Sequence, residues 1–205
     1  MRLNLNTDRP AILLMWSGGL DSTGVLWKLL NDDEFKPFDI HAHHISLWNH
    51  EGRSTQEGFA VDGLLDASGI RLGKNNRLVY TESLIEFPTI NGNFPYDADV
   101  VAFTAAQICN ACSNIVYVAN GVTKDDYSES SDYSLRIGRS YGVFNSACIR
   151  KVQQIRPVSD MTKADIWRML PKAIRDATWS CRMPRNGEPC GECKSCIQRF
   201  NLEAK

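Results

Sequence analysis

The chain has 205 residues, of which 43% are hydrophobic and 23% charged, with a net charge of -1. This composition is enough for a real hydrophobic core, and it excludes a protein drawn to nucleic acid or to an anionic membrane by its overall charge. No apolar run approaches the ~20 residues that span a bilayer. The opening Met1-Arg2-Leu3-Asn4-Leu5-Asn6 does not have the pattern of a secretory leader, so a cytoplasmic protein without a membrane partner is expected. In that reducing setting the seven cysteines point to metal binding or catalysis rather than to disulfides.

In chain order, the apolar run 11–16 predicts a strand, followed by an amphipathic helix over about 22–31. Residues Ile40 to Leu47 predict a second strand on which side chains alternate, so His41 and His43 share one face and His44 looks elsewhere. No spaced cysteine or carboxylate joins these histidines, and they read as core residues rather than as a metal site. A helix over about 54–68 follows, capped by Ser54 or Thr55, with Phe59, Leu64 and Leu65 facing inward. Arg77 to Thr81 is a third strand. The Ala-rich stretch Asp97 to Cys112 reads as a buried helix, and Cys109 and Cys112 within it as small core residues. Asn114 to Ala119 and Val152 to Arg156 are the fourth and fifth strands. Residues 120–139 are polar and rich in Ser and Asp, hence a long loop. Thr162 opens a helix with Asp165 in the capping-box position and Ile166, Trp167 and Leu170 on its apolar face. Arg136, Arg139, Arg150 and Lys151 read as a solvated basic face. Alternating strands and helices predict an α/β fold, a doubly wound, mainly parallel five-stranded sheet. Ligands in such sheets sit beyond the carboxyl ends of the strands.

The turn after the first strand carries the chemistry. It reads Ser17-Gly18-Gly19-Leu20-Asp21-Ser22-Thr23. The two glycines let an anion approach the main chain, the helix start offers free N–H groups and a positive dipole end, and three hydroxyls add donors. Asp21 is a poor phosphate ligand by itself and implies a bridging divalent metal. The pattern lacks the Gly-Lys-Ser/Thr ending of a Walker loop. It resembles the loop of the PP-loop ATP pyrophosphatases, which cleave ATP between the α and β phosphates and adenylate a substrate.

Cys181, Cys190, Cys193 and Cys196 form Cys-x8-Cys-x2-Cys-x2-Cys. Gly191 permits the turn that aims successive thiolates at one centre. The spacing suits a tetrahedral zinc, which would fold a segment too short for a core of its own. An iron–sulfur cluster also accepts four thiolates. The expected division is 1–176 for the nucleotide-binding unit and 177–205 for the four-cysteine segment.

The two ends together resemble the 7-cyano-7-deazaguanine synthases of the queuosine pathway. The matching pieces are Ile155-Arg156-Pro157, Lys163-Ala164-Asp165-Ile166-Trp167, Thr178-Trp179-Ser180-Cys181, the run Pro189 to Cys196, and Arg199. Gly121-Val122, Asp126-Tyr127-Ser128 and Asp132 resemble that family's substrate loop, and Arg53 and Glu57 fall where it has an Arg and a Glu. The resemblance implies ATP held by residues 17–23 and Gly121, magnesium on Asp21 with Asp126, and zinc on the four cysteines. It implies a deazapurine carboxylate bound by Arg53, Glu57, Asp126, Tyr127, Ser128 and Asp132, ammonia as the second substrate, no directly bound nucleic acid, and paired subunits. Ser17, Asp21, Ser22 and Asp126 would carry the chemistry. The chain departs from the family at 49–53, 91–97 and 129–131, which leaves the product, amide or nitrile, open. A PP-loop tRNA thiolase or amidotransferase, and a non-catalytic nucleotide-binding subunit, are the competing expectations.

Overall fold

The computed structural model describes residues 8–48, 52–67, 76–87, 97–128 and 131–204. The elements are β1 (Ala11–Met15), α1 (Leu20–Asn31), β2 (Asp39–Trp48), α2 (Ser54–Ala67), β3 (Leu78–Glu86), α3 (Asp97–Ala111), β4 (Ile115–Ala119), α4 (Lys124–Ser128), α5 (Ser131–Ala147), β5 (Gln153–Ile155), α6 (Lys163–Met169), α7 (Lys172–Ala177) and α8 (Lys194–Glu203). The five strands form one sheet in the order β3-β2-β1-β4-β5, and every pairing is parallel. The direction of winding reverses between β1 and β4, which places a ligand crevice beyond the ends of those two strands. β1 is central and covered on both faces, so it is apolar without alternation: Ile12, Leu13 and Leu14 are fully buried.

One face of the sheet packs with α1, α2, α6 and α7 around Trp16, Val25, Leu64, Ile166 and Ile174. The other packs with α3 and α5 around Leu13, Ala105, Cys109, Val118 and Phe144. Gly24 is where α1 meets α6: a Cβ there would lie 2.6 Å from Ile166 Cγ2. Thr162 and Asp165 form the expected capping box at the start of α6, with Ile166, Trp167 and Leu170 buried behind it.

Three sequence expectations are corrected. Residues 120–139 are not one long loop, because α4 occupies 124–128 and the first half of α5 occupies 131–139. Phe59 is 65% exposed, and α2 instead buries Ala60, Val61, Leu64 and Leu65. Helix α3 is only partly buried, with Ala105, Ala106 and Cys109 inward and Phe103 exposed.

Two arginines clamp the pole opposite the crevice. Arg77, just before β3, donates to the carbonyls of Leu30 (2.9 Å), Phe35 (3.0 Å) and Phe38 (3.0 Å) at the exit of α1. Arg150, shortly before β5, donates to those of Cys109 (2.6 Å), Cys112 (2.7 Å) and Ser113 (2.6 Å) at the exit of α3. Arg150 is therefore a helix cap and not part of a solvated face. Among the described residues no helix is long and apolar enough to cross a membrane.

Candidate functional site

β1 ends at Met15, and the chain turns through Ser17–Gly19 into α1. Gly18 has φ of 74°, in the left-handed region that favours glycine. A Cβ there would also press on Val61 Cγ2 at 3.0 Å. Gly19 caps α1 without a side-chain bond, so the first N–H groups of the helix remain available to an anion. The Ser17 and Ser22 hydroxyls hydrogen-bond to each other at 3.1 Å, and both line the cavity. Thr23 does not join them: its Oγ1 accepts from Trp16 Nε1 in the core (3.1 Å). Leu20 lines a smaller adjoining cavity of about 190 Å³ on the other side of the loop.

The main cavity has a volume of about 460 Å³ and lies at the predicted crevice. Its walls come from the ends of β1, β2 and β4, from α3 and α5, and from Arg182 of the C-terminal segment. Gly121, after β4, lines it too, and a Cβ there would stand 3.1 Å from the Ser22 nitrogen. The loops after β1 and β4 therefore touch.

Asp21 is joined by a residue to which the sequence assigned no role. Lys163, the first residue of α6, donates from Nζ to Asp21 Oδ2 at 2.6 Å and stands 3.7 Å from Asp126 Oδ1. Burial opposes the ammonium charge, but Asp21, Asp126 and Asp125 together hold Lys163 above its usual value. Burial pushes the Asp21 carboxyl above the usual carboxylate range against the pull of Lys163. Asp21 Oδ1 is buried without a hydrogen-bond partner. A carboxylate oxygen left open beside an anion cradle fits a divalent cation.

Asp126 is placed differently from the sequence expectation. Its Oδ2 accepts from the Thr123 N–H (2.7 Å) and hydroxyl (2.9 Å), so it closes the turn into α4 and backs Lys163. Asp125 likewise accepts from the Lys163 N–H at 2.7 Å. Tyr127 is 48% exposed, and its hydroxyl accepts from Arg156 at 2.5 Å; Arg156 lines the cavity. The side chains of Ser128 and Asp132, and residues 49–51, 91–96 and 129–130 of the departures, lie outside the described residues.

Arg53 and Glu57 both line the cavity. Arg53 pairs with Glu57 at 3.4 Å and with Asp97 at the start of α3, while Arg182 reaches the same Asp97 at 3.1 Å. Burial would raise the Asp97 carboxyl, but Arg53 and Arg182 hold it below the usual range. Arg136 and Arg139 also line the cavity, with Arg139 paired to Asp99 at 2.7 Å. Two of the arginines read as a solvated face are thus cavity residues. Asp97, Asp99, Asn120, Arg156 and Arg182 were not legible as site residues, because only the folded topology gathers them.

The four cysteines converge. The sulfurs of Cys181, Cys190, Cys193 and Cys196 all lie within 4.8 Å of one another, with Cys190 and Cys196 3.9 Å apart. At a Zn–S distance of ~2.3 Å a tetrahedral ion places its sulfurs about 3.8 Å apart, so the set fits a single metal ion. The segment is tied to the glycine turn after β1, because the Trp179 N–H donates to the Gly18 carbonyl at 3.0 Å. Burial raises the Cys109 thiol to about 12, and Cys109, Cys112 and Cys148 line neither cavity.

Comparisons with known proteins bear on the fold and the family. No curated protein matches the sequence. Among solved structures the fold is similar to the U34-tRNA thiolase NcsA from Methanococcus maripaludis with its [4Fe-4S] cluster. That likeness has a TM-score of 0.54 and 13% identity, and it covers 100% of this chain and 66% of that one. The chain therefore spans just under two thirds of the thiolase's length, and at that identity the likeness speaks for the fold alone. The family described as "Queuosine biosynthesis protein QueC" matches residues 97–202. That match covers more than half of the sequence and includes α3, the Lys163 helix and the cysteine cluster, and the chain belongs to the QueC family, that of the 7-cyano-7-deazaguanine synthases.

Proposed function

We propose that this chain is an ATP-dependent C–N ligase that converts a carboxylated 7-deazapurine, 7-carboxy-7-deazaguanine, with ammonia into the amide or the nitrile, releasing AMP and pyrophosphate. The observation that carries this reading is the anion cradle after β1, which opens on the main cavity with Asp21 Oδ1 unpartnered beside it. The nucleotide-binding unit is 1–176, and 177–205 is the metal-binding segment that walls it.

The Ser17 and Ser22 hydroxyls, the N–H groups at the start of α1 and Gly121 hold the phosphates. Asp21 would hold magnesium, which supplies neutralisation of the phosphate charge. The substrate carboxylate attacks the α-phosphorus, the α–β bridge breaks, and pyrophosphate leaves. Ammonia then displaces AMP from the acyl carbon to give the amide. The nitrile requires a second ATP, which adenylates the amide oxygen with loss of pyrophosphate, after which that oxygen leaves with AMP and the nitrogen gives up its two protons. No nucleophilic side chain is required; the protein contributes positioning and preorganised charge. Arg53, Arg156 and Arg182 surround the cavity with guanidinium groups suited to an anionic substrate. Asp126 supports Lys163 rather than the base, and zinc is the metal proposed for Cys181, Cys190, Cys193 and Cys196.

The thiolase reading needs an accessible thiolate or an iron–sulfur cluster. The three cysteines outside the cluster line neither cavity, so that reading requires an iron–sulfur cluster on Cys181, Cys190, Cys193 and Cys196, which iron and sulfide analysis of the purified chain would detect. The test is to give the purified chain ATP, magnesium, ammonium and 7-carboxy-7-deazaguanine, and to follow products by mass. AMP, pyrophosphate and the amide or nitrile are expected. ADP as the nucleotide product would reject the chemistry, and a chain that turns over no ATP would support the non-catalytic alternative.

A further inference from the structure

β2 carries one histidine to the wall of the main cavity. His43 is 4% exposed and lines that cavity. Its Nδ1 is 2.7 Å from the Thr81 hydroxyl, while its Nε2 is buried with no hydrogen-bond partner. A polar atom left unmet in a protein interior is costly and calls for a reason. Met15 is its in-register neighbour on β1, and the apolar Ile45, Ala102, Val118 and Phe144 are among the residues that line the same cavity. Burial lowers the His43 pKa to about 4, with His41 and His44 adding to the effect, so the ring is neutral at physiological pH. A neutral imidazole among apolar walls suits an uncharged ring edge. Phosphate and carboxylate groups belong with the guanidinium groups.

Thr81 makes the ring adaptable. The same hydroxyl also meets His41 Nε2 at 2.7 Å. A hydroxyl has one hydrogen to give and two lone pairs to accept with, so at most one of the two rings accepts from it and at least one donates to it. When His43 Nδ1 accepts, Nε2 carries the hydrogen and is a donor toward the cavity. When Nδ1 donates, Nε2 is bare and is an acceptor. His44, on the opposite face of the strand, is instead committed through Nδ1 to the Trp16 carbonyl at 3.0 Å.

We infer that His43, backed by Thr81 and His41, is a positioning and specificity residue whose Nε2 hydrogen-bonds the edge of an uncharged purine-like ring in this cavity. The inference rests on the reading that this cavity holds a ligand of the ATP-dependent reaction. Such a ring edge has two sources there, the adenine of the nucleotide and the base of the carboxylated substrate.

The test compares the wild-type chain with His43→Leu, His43→Gln and Thr81→Val, each first shown to fold by thermal unfolding. AMP formation is measured while ATP and 7-carboxy-7-deazaguanine are varied in turn. Separately, the 15N resonances of the histidines are followed as a non-cleavable ATP analogue, and then the base, is added. His43→Leu is expected to raise one KM about five- to tenfold with a smaller effect on kcat, and His43→Gln to recover most of the loss. A raised KM for ATP with a shift of the His43 Nε2 signal on adding the analogue assigns the contact to adenine; the converse pair assigns it to the substrate base. Unchanged KM values in His43→Leu, with no movement of the His43 signal at saturation by either ligand, overturn the inference. If the wild-type chain forms no AMP, the reaction reading fails, and the resonance titration alone decides for or against His43.

Discussion

Lys163 shows how a residue becomes functional by placement. It lies far along the chain from Asp21, yet its ammonium closes on that carboxylate at 2.6 Å, because α6 packs against α1 at Gly24. Lys163→Met would leave Asp21 and Asp126 as neighbouring carboxylates without their cation. We expect a loss of about 1–3 kcal/mol, measured by urea unfolding. The loss should shrink as the pH falls, because the raised Asp21 pKa lets a proton do what the lysine did. Gly18→Ala is expected to cost about 1–2 kcal/mol from the left-handed backbone alone, with further loss from the contact at Val61, and to weaken binding of an ATP analogue measured by calorimetry. The glycine loop and the cysteine run were legible in the sequence because their residues are contiguous. Asp97 and Arg182 were not, and Lys163 entered only within the matching piece 163–167 without a role, since each is an ordinary charged residue until folding brings it beside its partners.

At the scale of elements, β2 is the most exposed to acid. His41 and His43 are both held near pKa 4 by burial, against an ordinary value of 6.5. The folded-state pKa values are depressed, so the unfolded chain binds these protons first. Stability is complete above about pH 6.5 and declines as the pH falls toward 4, by about 1.4 kcal/mol per pH unit for each ring. Chemical denaturation across that window should show the slope, and His41→Gln should flatten it by about one proton; an unaltered slope would refute the assignment. The alternation that put His41 and His43 on one face was readable from period two. Helices α4 and α5 were not, because they are rich in Ser, Asp and Gly and, among the described side chains of α5, Phe144 alone is buried. Residues of that kind favour loops by propensity, and packing of α5 against α3 through Phe144 overrides it.

For the whole molecule, the parallel order of strands and the place of the crevice followed from the alternation of elements. The joining of the C-terminal segment to the glycine turn did not, because among the described residues it runs through a backbone contact between residues far apart in the chain, Trp179 to Gly18. Arg199 ties α8 to Thr178 and to α6, donating to the Thr178 hydroxyl at 2.8 Å and lying 4.6 Å from the Trp167 ring centre. We expect about one zinc ion per chain by elemental analysis. Its removal by a strong chelator, or Cys193→Ser, should lower both the unfolding temperature and the affinity for an ATP analogue, because the loop loses the segment that braces it. Loss of metal with unaltered nucleotide affinity would show the two regions to be independent.

Arg77 and Arg150 have a consequence for how such a protein can diverge. Each planar fork gathers several helix-end carbonyls, which a lysine cannot imitate with its single ammonium, and both stand at the end of the sheet remote from the chemistry. The scaffold is thus anchored at its base. Loops on the opposite rim are free to be rewritten for a new substrate without loosening the foundations, and a lineage could exchange specificities while keeping the same frame.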